Sequence, residues 1–168
     1  MNQSKNKLEK VNHSFGPYYH KNSEILILGS MPSKVSREKS FYYMHPANRF
    51  WKALSCVYQE EIGDSIEDKK LFLKKYKIAL WDVIESCSII GSSDSSIQDI
   101  IPTNINEILK KTKIKKIYTL GNIAYQYYNK YILNQTNIKA ILLPSTSSAN
   151  ASWSLEKLVE KFQVLKEK

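Results

Sequence analysis

The sequence predicts an α/β fold, a three-layer α/β/α sandwich built on a four-stranded parallel sheet. Three observations carry that expectation. Four short, nearly continuous apolar runs each end on a Gly, Ser, Pro or Asp, the pattern of strands covered on both faces. Apolar residues at helical spacing fill the stretches between them. The chain has 168 residues, 42% of them hydrophobic, which suits one compact core and argues against disorder. No internal repeat, long linker or low-complexity tract interrupts it, so residues 1–168 read as a single domain, with polar residues 1–20 as a loose N-terminal arm.

The strand candidates are residues 24–30 (EILILGS), 78–83 (IALWDV), 116–121 (KIYTLG) and 139–145 (KAILLPS). Between the first two, Phe50, Leu54, Val57 and Tyr58 have helical spacing after Asn48, and Lys69, Lys70, Lys74, Lys75 and Lys77 read as a solvated helix face. Ile105, Ile108 and Leu109 follow Asn104, with Glu107 three residues on, a capping signature. A helix is expected over 124–133, behind Gly121. Leu155, Leu158, Val159, Phe162 and Leu165 make a final amphipathic one. In open parallel sheets ligands bind beyond the carboxyl ends of the strands. The loops that start at Ser30, Asp82, Gly121 and Ser145 should therefore meet at one site.

Composition narrows the class. The formal charge of +9 suits a polyanion such as nucleic acid. The excess is nearly all Lys in a chain also rich in Ile and Asn, so compositional bias accounts for it equally well. No apolar run approaches the roughly 20 residues that cross a bilayer, and the first segment lacks the apolar centre of a signal peptide. A cytoplasmic protein without a membrane partner is expected. Cys56 and Cys87 stand far apart, and His13, His20 and His45 form no ligand cluster, so neither a disulfide framework nor a metal is expected.

The longest loop candidate, GSMPSKVSREKSFYYMHPANRFW (29–51), is the most informative. Gly29 and Ser30 end a strand and Pro32 stops further pairing, leaving backbone N–H groups to cradle a base edge or phosphate. Phe41, Phe50 and Trp51 read as core, and Tyr43 as a stacking platform for a base. The stretch PSTSSANAS (144–152) puts small hydroxyl residues ahead of a helix. That makes a phosphate site, a Ser/Asn-rich helix cap, or both. Ser30 lacks the G-x-S-x-G elbow of a serine hydrolase, which leaves that class weak.

GSMPS followed by YYMHPANRFW resembles the first motif of the uracil-DNA glycosylase superfamily. HPANRFW is similar to its mismatch-specific branch. GSMPS with YYMHP, the later LPSTS, and ALWDVIESCSIIGSSDSSI are most similar to its hypoxanthine-DNA glycosylase branch. The resemblance runs from residue 24 to the last helix. It implies a four-stranded parallel sheet between helices. It also implies an enzyme that flips a deaminated nucleotide into a pocket, hydrolyses its N-glycosidic bond without metal, cofactor or lyase step, and acts as a monomer on DNA.

Two departures bear on mechanism. Met31 stands where relatives carry the Asn or Asp that orients the attacking water. Leu143 stands where the main uracil branch carries the His that stabilises the departing base. Met offers no useful hydrogen bond. The hypoxanthine branch relies instead on the Asn of its HPxN segment, here Asn48. The resemblance makes Asn48 the residue that orients water; its position before Arg49, Phe50 and Trp51 equally fits a helix N-cap. Asp82 either accepts the N1–H of hypoxanthine (or N3–H of uracil) or caps a turn. Asn122 replaces an Asn that the branch carries at Leu120, or caps a helix. The expected base pocket is Gly29, Ser30, Met31, Tyr43, Asp82, Ser86 and Asn122. Ser33, Ser36, His45, Ser145, Thr146 and Ser147 are expected on the DNA backbone. The substrate is DNA carrying hypoxanthine, with uracil or xanthine open. The alternatives are a uracil/mismatch-specific glycosylase and a catalytically weak damage-binding module.

Overall fold

The computed structural model describes residues 7–91 and 93–168; residues 1–6 of the expected arm lie outside them. The strands are β1 (Leu8–Asn12), β2 (Ile25–Gly29), β3 (Ile78–Asp82), β4 (Ile84–Ile90), β5 (Gln98–Pro102), β6 (Lys116–Leu120) and β7 (Ala140–Leu143). The helices are α1 (Lys34–Lys39), α2 (Phe50–Tyr58), α3 (Ile66–Lys75), α4 (Asn106–Leu109), α5 (Gly121–Tyr127), α6 (Leu133–Thr136) and α7 (Leu155–Phe162).

The four apolar runs form the expected parallel sheet, in the order β3-β2-β6-β7. Every residue of β2 and β3 is buried, because helices cover both faces. The chain leaves β2 for β3 on one side and later returns to β6 on the other. The topological switch point therefore falls between β2 and β6, and their carboxyl ends open a crevice there. The register pairs Gly29 with Asp82, so these two residues sit level at the crevice.

Helix α2 buries Phe50, Ala53, Leu54 and Val57, one face at i, i+3, i+4 and i+7, and packs on α7. Helix α3 starts at Ser65, whose hydroxyl accepts the Asp68 N–H, and carries Lys74 and Lys75 in its last turn, where they complement the helix dipole. Helix α5 covers β2, β6 and β7. A π turn over Tyr128–Ile132 carries it on into α6, so the helix expected over 124–133 continues to Thr136. The cap expected from the Asn104 side chain is not formed. Its backbone carbonyl takes the Glu107 N–H at 3.2 Å, and α4 is only four residues long.

A second sheet, antiparallel and ordered β1-β4-β5, was not expected. Strand β4 follows β3 after Val83 alone. Val83 N–H reaches the Gly29 carbonyl at 2.9 Å and Ile84 N–H that of Ser30 at 3.2 Å, so β4 grows directly out of the carboxyl end of the parallel sheet. This corrects the loose arm for residues 8–20. Leu8 to Asn12 pair with β4, and Tyr18 exchanges backbone hydrogen bonds with Leu80, 2.9 Å each way. The segment is polar because its strand is largely exposed, not because it is unattached.

Candidate active site

The carboxyl ends of β2, β3 and β6, with the loop after β7, enclose a cavity of about 520 Å³, within the usual range for small-molecule sites. From β2 and its loop come Gly29, Ser30, Met31, Ser33, Ser36, Tyr43, His45 and Asn48; from β3 comes Asp82, and from the β7 loop come Ser145, Thr146 and Ser147. Two expected pocket residues are not brought there. Ser86 is buried in β4, opposite Asn12 and Ile101. Asn122 is exposed on the first turn of α5, and Leu120 lines the cavity in its place. A side chain one residue into a helix has turned away from the strand end that precedes it.

Gly29 and Asp82 meet at the cavity. A Cβ on Gly29 would lie 2.6 Å from Asp82 Oδ1 and 3.2 Å from the Tyr43 hydroxyl, so only glycine lets these two oxygens converge there. The other carboxylate oxygen, Oδ2, is held by His13 Nε2 at 2.7 Å, and both side chains are buried. His13 is the residue that sequence reasoning missed. It follows a strand whose partner is distant in the chain, and no local signal marks it.

Tyr43 has a left-handed backbone, φ 55°, an unfavourable conformation for a bulky residue. That turn lays its ring on Phe50, with centroids 4.0 Å apart. One face of the expected base platform is thus spent inside the protein. Its buried hydroxyl has no hydrogen-bond partner among the described residues. Burial first, then the Asp82 charge, pushes its phenol pKa well above the ordinary value.

Asn48 does part of what each reading asks. Its Oδ1 accepts the Phe50 N–H at 2.9 Å, at the start of α2, and the Thr146 hydroxyl at 2.9 Å. Both carbonyl lone pairs are engaged while the side chain lines the cavity, so the amide nitrogen is what remains for a ligand. Arg49 ties the same two loops together. Its guanidinium donates to the carbonyls of Ser147 at 3.0 Å, Asn150 at 3.2 Å and Trp153, and its backbone N–H to that of Thr146 at 3.0 Å.

The hydroxyl residues separate into two groups. Ser33 caps α1, accepting the Ser36 N–H at 3.2 Å, and donates to Ser36 Oγ at 3.2 Å. Ser36 is 2% exposed and accepts the Met44 N–H at 3.1 Å. These bonds fold the long loop and turn Ser36 inside it, against the expectation that it touches the DNA backbone, while Ser33 stays half-exposed on the cavity wall. Thr146, 2% exposed, is committed to Asn48 instead of phosphate. Ser145 and Ser147 accept the N–H groups of Ser147 and Ala149, 3.2 Å each. Those bonds use lone pairs and leave each hydroxyl proton free to donate. His45 is exposed at the mouth, its Nδ1 accepting the Ala47 N–H at 3.1 Å. Among the described residues no three His, Cys, Asp or Glu side chains gather to hold a metal ion, and no helix is long and apolar enough to cross a membrane.

A cavity at the switch point of a parallel sheet, with a carboxylate oxygen and a carboxamide on its wall, defines an α/β protein with a polar pocket beyond the carboxyl ends of its strands. The chain belongs to the uracil DNA glycosylase superfamily, which residues 17–167 match. It is 37% identical over 149 residues to a protein of Methanosarcina acetivorans named hypoxanthine DNA glycosylase, covering 86% of this chain and 91% of that one. A protein of the same name from Methanosarcina barkeri is 36% identical over 141 residues, covering 81% and 86%. The solution NMR structure of a proposed uracil DNA glycosylase from Methanosarcina acetivorans matches with a TM-score of 0.74 and 34% identity, over 91% of this chain and 97% of that one. The family resemblance and the four-stranded parallel sheet drawn from GSMPS, HPANRFW and LPSTS therefore stand.

Proposed function

We propose that this DNA glycosylase removes hypoxanthine from DNA, after the deaminated nucleotide has swung out of the duplex into the cavity. The observation that carries the reading is Asp82 Oδ1. With Oδ2 held by His13, Oδ1 is an acceptor beside Gly29 without a partner among the described residues. Hypoxanthine offers N1–H to such an oxygen. Adenine has a bare lone pair at N1 and would leave both groups unpaired. Uracil and xanthine also carry a lactam N–H, so they are the natural secondary substrates. The names of the two relatives point the same way.

Cleavage breaks the bond between C1′ and N9 of the base. The electron pair leaves with the base, which ends protonated, and the water oxygen adds to C1′ to give an abasic site. The sugar passes through an oxocarbenium-like state that a preorganised polar wall stabilises. Met31 lines the cavity and Leu143 is 3% exposed, so neither supplies a polar catalytic group. Asn48 holds the attacking water through its amide N–H, leaving a water lone pair for C1′. Ser145 and Ser147 donate to the phosphates that flank the flipped nucleotide. The enzyme works as a monomer, and Cys56 and Cys87, which form no disulfide with each other, fit the reducing cytoplasm.

The test is excision from matched labelled duplexes carrying inosine, uracil or no lesion, followed by alkali to cut abasic sites. Preferential cleavage at inosine is expected. Cleavage at uracil alone would move the protein to another branch of the superfamily. Binding of lesion-bearing duplex without cleavage would make it a damage-recognition module.

A further inference from the structure

We propose that His13 is a positioning residue that fixes which bases Asp82 accepts, by keeping Asp82 an acceptor only. The proposal rests on the reading of Asp82 as the base-recognising carboxylate. It stands on four geometric facts. His13 Nε2 lies 2.7 Å from Asp82 Oδ2, in a contact where both side chains are nearly solvent-free. Tyr42 donates its hydroxyl proton to the Gly16 carbonyl at 2.6 Å, so towards Nε2, 3.5 Å away, it turns only lone pairs. Nε2 therefore carries a proton and Oδ2 accepts it. Oδ1, beside Gly29, is left to the ligand.

The donor–acceptor sense of the cavity wall follows from that arrangement. A buried carboxylate deprived of its partner favours its protonated form, because burial penalises the charge. A protonated Asp82 would present O–H to the ligand, and O–H suits the bare N1 of adenine as well as carboxylate suits the N1–H of hypoxanthine. His13 thus guards against attack on undamaged adenine. The groups facing Asp82 are His13 from the segment after β1, and Tyr42 and Tyr43 from the loop before α2. Glu85 on β4 adds negative charge near Tyr42. Among the described residues His13 is the only side chain that hydrogen-bonds Asp82. Its position is set by the second sheet: Asn12 pairs with Ser86, and the His13 N–H reaches the Glu85 carbonyl at 2.7 Å. That sheet, which lends Ile89 to the cavity wall, also delivers the residue that orients Asp82.

The experiment measures kcat/KM on duplexes containing inosine and on matched duplexes containing adenine, from about pH 5.5 to about pH 9. The enzymes are the wild type, His13→Met, His13→Gln and Asp82→Asn. Met keeps the volume and removes the donor; Gln retains a side-chain N–H. Wild type is expected to excise inosine and spare adenine throughout this range. His13→Met should lose roughly tenfold or more of inosine excision at the acid end and recover it at the alkaline end, with adenine release rising as inosine release falls. His13→Gln should restore the wild-type profile. A His13→Met enzyme that loses the same factor at every pH, or keeps the wild-type ratio of inosine to adenine, overturns the proposal. So does a His13→Gln profile that follows His13→Met. If Asp82→Asn abolishes inosine excision while His13→Met keeps the wild-type profile, the reading of Asp82 survives and the role of His13 falls. A wild type that excises no inosine overturns both.

Discussion

Thr146 donates its hydroxyl to Asn48 Oδ1 across 2.9 Å, joining the loop after β7 to the loop before α2. With Phe50 N–H on the same oxygen, the carboxamide is held in one orientation, its nitrogen left for the ligand. Thr146→Val removes the donor and keeps the shape. Its single-turnover excision of inosine should fall roughly tenfold, at a stability cost of about 1 kcal/mol. Asn48→Ala should fall by about 100-fold or more. In the Asn48→Ala background Thr146→Val should have no further effect on rate, because its action passes through Asn48. Additive losses in that cycle would show that Thr146 acts by another route.

Arg49 predicts a different signature. Its guanidinium spans three carbonyls of the β7 loop, and lysine, a compact point charge, cannot reproduce that fork. Arg49→Lys should cost about 2 kcal/mol, which for a chain of this size lowers Tm by roughly 4–8 °C. The loop it releases carries Ser145 and Ser147, so binding of lesion-bearing DNA should weaken more than the chemical step slows. Thermal denaturation, together with KM and kcat measured separately, checks this. A kcat loss at unchanged KM would contradict it.

Buried structure was legible where it is local. Strands β2, β3, β6 and β7 each declare themselves as a short apolar run, and where such strands end the cavity begins, lined by Gly29, Met31, Asp82 and Ser145. What stayed hidden depends on partners far along the chain. Residues 8–12 alternate nothing and bury little, so only pairing with β4 reveals a strand. His13 finds Asp82 across 69 residues, and Thr146 finds Asn48 across 98. Of the two residues that do not reach the cavity, Ser86 is buried within β4, a strand the sequence did not reveal, and Asn122 lies one residue into α5, where the side chain has turned to the surface. For Ser33 and Ser36 composition was informative about hydrogen bonding, but the bonds are made inside the loop.

Gly29→Ala tests the convergence of Asp82 and Tyr43. The new methyl would lie 2.6 Å from Asp82 Oδ1, a distance that real side chains avoid, so the carboxylate must move. A displacement on the order of 1 Å at a positioned group costs about 100-fold in rate. Overpacking costs stability only about 1–3 kcal/mol. Inosine excision should therefore collapse in a protein that still unfolds cooperatively above room temperature. Full activity in this variant would show that Asp82 Oδ1 is not a recognition group.

Alkaline pH should unfold the protein through its buried phenols. Burial, then the neighbouring Tyr118 and Tyr76, pushes Tyr58 up to about 12. Tyr42 and Tyr43 are also raised, by burial first and then by the Asp82 charge. An unfolded tyrosine titrates near pH 10. Between about pH 10 and the folded values, the unfolded chain has released these protons and the native protein retains them. The unfolded state then binds fewer protons, and stability falls as pH rises. Below about pH 10 the contribution is fully present and stability should be flat with respect to these groups. Urea midpoints measured from about pH 8 to about pH 12, read alongside phenolate absorbance, should fall together with the appearance of ionised tyrosine. Phenolate that appears in full near pH 10 while the protein stays folded would mean that Tyr42, Tyr43 and Tyr58 are open to solvent, and the closed wall behind the cavity would have to be abandoned.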